Sequence, residues 1–294
     1  MTLLLVKIFL APLIILIASL LARRLGPQKG GFFIGLPTTS LPFMLVIWLG
    51  SGTEAAATAA RGGLSGQITC ALFCVFYART ARRGGPLTSM LAALAMAAAL
   101  GFPTLWLPST VALVAVAVVM AVAGLATWPA PRTSLEPGRE RRSDIPVRML
   151  MACLTVVVMS GIEPFVGSSL AGALASLPTI LMVMCPAVHL ADGPEHAISL
   201  TRGTLGSIPG TAAYLCAVAL ASGTLGLGWA VLMGLAALPV VNAAVARSAA
   251  LISRRRTAPS PARRRPLRRS GSSPAVEPLT TPQDSGATSP CGAR

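Results

Sequence analysis

The chain has 294 residues, 54% of them apolar and only 11% charged, with a mean hydropathy of +0.72 and a net charge of +15. A soluble domain carries roughly 25% charged residues, so this composition excludes an ordinary water-soluble fold. The positive excess does not describe a nucleic-acid surface either: nine of the 24 basic residues lie from Arg254 onward, and nearly all the others sit in short gaps between apolar runs, where they orient a membrane protein.

A membrane-crossing helix needs about 20 mostly apolar residues. The runs that qualify, in chain order, are 3–22, 31–50, 64–79, 87–102, 108–128, 147–165, 168–188, 206–222 and 226–246. The first is too long for the apolar core of a signal peptide, and no Ala-x-Ala site precedes Arg23, so it reads as a retained span. The expected fold is an all-α polytopic membrane protein. Residues 1–128 form a first bundle of five helices, 129–146 a linker, 147–246 a second bundle of four, and 247–294 a tail.

With the N-terminus outside, the gaps 23–30, 80–86, 129–146, 189–205 and 247–294 are cytoplasmic. They hold almost all the lysine and arginine of the loops, Arg82, Arg83 and Arg202 among them; the outer segments keep only Arg61. Translocating these side chains is disfavoured, so the asymmetry predicts a cytoplasmic C-terminus in a bacterial inner membrane. The tail, rich in Arg, Pro, Ser and Thr, has too little apolar surface to fold. Its clusters Arg254–Arg256 and Arg263–Arg269 suit anionic headgroups, or serve only to anchor the topology.

The two halves share an ordered pattern. Ser40-Leu41-Pro42 is followed by Glu54, Arg61, Gly62 and Leu64; Ser176-Leu177-Pro178 is followed by Glu195, Arg202, Gly203 and Leu205. The offset is 136 residues at the first motif and 141 at the second, which implies a five-residue insertion within Cys185–Pro194. Five spans precede the second copy, and an odd number reverses direction, so the pattern predicts two inverted-topology repeats (5+4). Many secondary transporters are built this way.

Proline inside a span removes a donor and frees a carbonyl one turn earlier. Pro37 and Pro42 are expected to break the second span, and Pro178 and Pro186 the seventh. The hydroxyls of Thr38, Thr39, Ser40, Ser176 and Thr179 lie beside those breaks, where they bind a substrate's polar groups or cap the broken backbone. Glu54 with Arg61, and Glu195 with Arg202, share a helical face two turns apart, placed as gates or as interfacial residues solvated by headgroups. Glu163 is expected in a tight Gly161–Gly167 connection, as a proton-coupling group or an exposed loop carboxylate. His189 and His196 flank Asp192 and Glu195 at a spacing that fits no compact metal site.

Nucleotide-loop, zinc-protease and serine-hydrolase motifs are absent, and neither a catalytic set nor a cofactor is expected. The six cysteines form no CxxC pair, and the five inside apolar segments read as buried thiols. The expected partners are the lipid bilayer and an unidentified small solute, and homo-oligomerisation is left open.

The stretch Arg23–Ala78 opens Arg-Arg-Leu-Gly-Pro, carries Gly-Leu-Pro-Thr-Thr-Ser at 35–40, and continues Gly-x-Glu-Ala-Ala-x-x-Ala-Ala-Arg-Gly from Gly52. It resembles the GlpM-like small inner-membrane proteins of bacteria, some associated by name with alginate production. That resemblance implies a multi-span protein and carries over no catalytic residue. The 5+4 layout is also similar to the drug/metabolite transporters, whose usual pattern is 5+5. Two functions follow: a secondary transporter or permease for a small solute, or a non-transporting scaffold for an envelope assembly.

Overall fold

A computed structural model describes residues 39–129 and 144–257, with Leu13 and Pro37 described singly. The expected first span at 3–22, Thr38, most of the linker and residues 258–294 lie outside the described residues.

Every described element is helical. They are α1 (Ser40–Thr80), α2 (Pro86–Gly101), a 3-10 turn (Phe102–Trp106), α3 (Thr110–Ala126), α4 (Asp144–Val166), α5 (Ser168–Ala175), α6 (Thr179–Asp192), α7 (Pro194–Leu225) and α8 (Leu227–Thr257). Six stretches are long and apolar enough to cross a membrane: Ser40–Thr80, Pro86–Trp106, Met149–Val166, Ser168–Asp192, Pro194–Leu225 and Leu227–Ile252; Thr110–Ala126 is a shorter apolar helix.

Helix α1 is central. Every residue from Gly62 to Val75 is buried, so no face of that segment meets the outside. It packs against α7, α5, α2 and α3, and α7 also packs against α8. The peripheral helices reverse the soluble pattern. Helix α2 buries only Ser89, Ala93, Ala97 and Gly101, and α3 only Leu113, Ala117, Ala121 and Gly124. Their large side chains, such as Leu91 and Val119, face outward. Small residues inside and bulky apolar ones outside suit lipid, which solvates leucine as well as a protein core does.

Glycines set the closest crossing. A methyl group at Gly62 would fall on the Ser169 carbonyl, and one at Gly172 on the Ala59 carbonyl. The backbones of α1 and α5 therefore touch where neither residue has a side chain. Gly66 extends the contact, since a Cβ there would lie 2.6 Å from Ser176 Cβ.

Several expected boundaries move. Residues 51–63 and 189–205, expected as gaps between spans with each Glu/Arg pair on a helical face, are mostly helical. Helix α1 continues from the expected second span through to the third, with a kink at Gly52 (φ 86°, ψ −176°). The equivalent position, two residues before Glu195, is Gly193 (φ 88°, ψ 172°), between α6 and α7. Only glycine adopts this conformation without large strain. The expected seventh span is two helices, α5 and α6, interrupted at 176–178. Pro178 lies at that break as expected, but Pro186 lies within α6. Pro42 occupies the third position of α1, where its missing N–H has no intrahelical partner to lose. Glu163 is not in a connection: it is in the last turn of α4, where only Gly167 breaks the helix. Helix α8 runs to Thr257, past the expected end at 246.

Pro209, inside α7, shows how a break within the bundle is repaired. The next amide, Gly210 N–H, donates to Asn242 Oδ1 at 2.7 Å from α8. Asn242→Leu removes that acceptor from a buried amide. It is expected to cost about 1–3 kcal/mol, read as a lower Tm in detergent. Wild-type melting would show that the amide finds another acceptor.

Candidate functional site

The two Ser-Leu-Pro segments, 136 residues apart in sequence, meet at one cavity of about 40 Å³. Thr39 and Ser40 line it from the start of α1, and Ser176, Pro178 and Thr179 from the break between α5 and α6. Gln67 and Cys70 of α1 and Thr204 of α7 complete the wall. The volume suits one or a few water molecules. All its polar side chains are uncharged.

The break explains why this wall is polar. Pro178 has no N–H, and the turn tightens: Leu177 N–H donates to the Leu174 carbonyl at 3.2 Å and Thr179 N–H to the Leu177 carbonyl at 2.7 Å. The amides of Ile180 and Leu181, in the first turn of α6 and also lining the cavity, carry no hydrogen bond among the described residues. Thr179 Oγ1 lies 3.3 Å from Thr155 Oγ1 of α4. Thr204 Oγ1 donates back to the Leu200 carbonyl. Ser176 Oγ has no partner among the described residues, although Ser176 is only 5% exposed. A buried hydroxyl in that state costs free energy until something binds it.

The charged candidates lie away from the cavity wall. Arg61 donates to the carbonyls of Leu107 and Pro108, where α2 hands over to α3. Glu54 and Arg202 are exposed. Glu195 meets Arg82 in a forked pair, with Nε–Oε1 at 2.7 Å and Nη2–Oε2 at 3.0 Å. Near it, Tyr77 Oη lies 3.1 Å from His189 Nδ1. Arg61 and Arg82 are separated by 21 positions, about 30 Å along a helix at 1.5 Å per residue. Arg61 thus lies near the middle of α1, whereas Glu195 is held just beyond its C-terminal end. Glu163 is 8% exposed and accepts hydrogen bonds from Ser51 Oγ at 3.2 Å and from Ser168 Oγ. Among the described residues, no three His, Cys, Asp or Glu side chains are grouped to hold a metal.

Sequence reasoning missed Gln67, Thr204, Arg82 and Asn242. Gln67 and Asn242 had a readable signal, as a lone amide inside an otherwise apolar span; Asn242 is the only asparagine in the chain. The pairing of Arg82 with Glu195 had none, because the two lie 113 residues apart.

These features define an all-helical bundle of membrane-spanning dimensions, with a small uncharged polar cavity where two helix starts meet. Comparisons with protein-family models, characterised proteins and solved structures find no match.

Proposed function

We propose that this chain is a secondary transporter or permease for a small solute, working by alternating access around the cavity between its two Ser-Leu-Pro segments. The observation that carries this reading is the convergence of two repeated segments, 136 residues apart, on one buried polar cavity. A repeat kept only for packing has no need of an unpaired hydroxyl at its meeting point. The matched glycine breaks at Gly52 and Gly193, each two residues before the repeated glutamate, support common descent of the halves. The arginine asymmetry between alternate gaps supports inverted threading of nine spans.

In this reading the Glu195–Arg82 pair closes the cytoplasmic end. The arginine distribution supports that orientation and an inner-membrane location with the N-terminus outside. Alternating access requires at least one state beyond the conformation described.

The test is two-sided accessibility. Ser176→Cys, in a chain with its native cysteines replaced, is labelled with a small membrane-impermeant thiol reagent in intact cells and in inverted vesicles. A carrier exposes position 176 to both sides in turn. A scaffold leaves it protected from both, and that result would remove the transport reading.

A further inference from the structure

We propose that the cavity is a binding centre for a small anion, or for the anionic head of a larger solute. The inference rests on reading this cavity as the transport site and names the class of substrate.

Two helices begin at the cavity: α1 at Ser40 and α6 at Thr179. A helix start carries partial positive charge and outward-facing amide donors. Neither start is capped by a side chain, at Thr39 or at Pro178. At α1 the Leu41 amide donates to the Pro37 carbonyl, the Phe43 amide donates to the Thr39 carbonyl, and Pro42 has no N–H. The Ile180 and Leu181 amides of α6, on the cavity wall, have no acceptor among the described residues. Helix α5 ends beside them at Ala175, so its negative end offsets part of this field. The two unbonded amides at the start of α6 still favour an acceptor that carries negative charge.

The second observation is independent of the helix ends. Ser176 lines the cavity, is 5% exposed, and its hydroxyl has no partner among the described residues. It can donate to a ligand that offers only acceptors. A cation fits poorly, because it would face the start of α6 with no carboxylate on the wall among the described residues. An anion held by hydroxyls and amides, without lysine or arginine, is held reversibly, as a carrier requires. A cavity of about 40 Å³ limits the ligand in this conformation to a monatomic ion or a group of a few atoms.

The test uses the full-length protein purified in detergent. Its Tm is measured in sodium chloride, sodium acetate and sodium gluconate at equal ionic strength. Chloride or acetate is expected to raise Tm saturably above gluconate. A rise in chloride alone assigns a free inorganic anion; a rise in acetate as well assigns a carboxylate head. Ser176→Ala should fold, since the deleted hydroxyl has no partner, and should lose most of the rise. Thr204→Val should reduce it. Ser248→Ala, whose hydroxyl bonds the Ala244 carbonyl on an exposed face, should keep it. Equal Tm in all three salts would overturn the anion assignment, as would a rise unchanged in both cavity variants. Replacing sodium by choline should change nothing; a dependence on sodium instead of the anion would overturn it too. Two-sided labelling at position 176 without an anion effect would leave the carrier reading intact and remove this one. An anion effect without such labelling would do the reverse.

Discussion

Gly172→Leu is expected to leave no monodisperse protein after detergent extraction, and Gly62→Leu to do the same. At each position the first side-chain atom alone collides with a backbone carbonyl, Ala59 for Gly172 and Ser169 for Gly62. A flexible side chain can move aside, but a helix backbone moves only if the whole crossing opens. Overpacking a core typically costs about 1–3 kcal/mol. Here a leucine must part α1 from α5 along the contact that also seats Ser176 against Gly66, so the cost should exceed that range. In lipid the loss is not offset elsewhere, because close packing is a main force holding such helices together. Gly161 is the control. It lies in α4 with nothing near its missing Cβ, so Gly161→Ala should be neutral or stabilise by about 0.5–1 kcal/mol. Size-exclusion profiles and Tm provide the comparison, and wild-type behaviour of both leucine variants would refute the crossing.

The second large effect concerns the forked pair of Arg82 and Glu195. Their side chains are only 17% and 15% exposed, and a bidentate guanidinium–carboxylate pair is stronger than a single-point contact. Removing one partner of a fully buried pair costs roughly 3–5 kcal/mol, because the other charge is stranded. Residual exposure here should bring the loss below that range. Glu195→Gln and Arg82→Ala should each lower Tm. The double variant should lose less than the sum of the singles, giving a coupling of about 0.5–3 kcal/mol. If the pair also closes the cytoplasmic end, Glu195→Gln should increase labelling of a cysteine at 176 in inverted vesicles relative to intact cells. Additive losses would show that the pair contributes no coupling. Unchanged labelling would separate its structural role from any gating role.

These expectations depend on features that the linear chain revealed unevenly. The repeated Ser-Leu-Pro and Glu-x6-Arg patterns were visible because each is short and contiguous. Their glycine partners, Gly52 and Gly193, were in plain view as residues, but nothing in a sequence distinguishes a positive-φ kink from a helical glycine such as Gly161. The segments 51–63 and 189–205 were expected as gaps between spans, whereas they extend the membrane-length helices. Burial on neighbouring helices keeps Gly62, Gly63 and Gly66 helical. Tertiary contact outweighs a propensity penalty of about 1 kcal/mol per glycine.

The sequence alone determined that the chain is helical and built for lipid. Composition and run length decide this, since an unbonded backbone in hydrocarbon is too costly for most alternatives. It also showed two matching Ser-Leu-Pro and Glu-x6-Arg patterns and placed one break at Pro178. Only the tertiary structure decided that those segments share one cavity, that Gln67 and Thr204 complete it, and that Glu195 pairs with Arg82 and not with its own repeat's Arg202. The physical reason is that such contacts join residues about 30 to 140 positions apart, through helix crossings set by missing side chains. Local periodicity reports which face of a helix is apolar, but not which neighbour that face will meet.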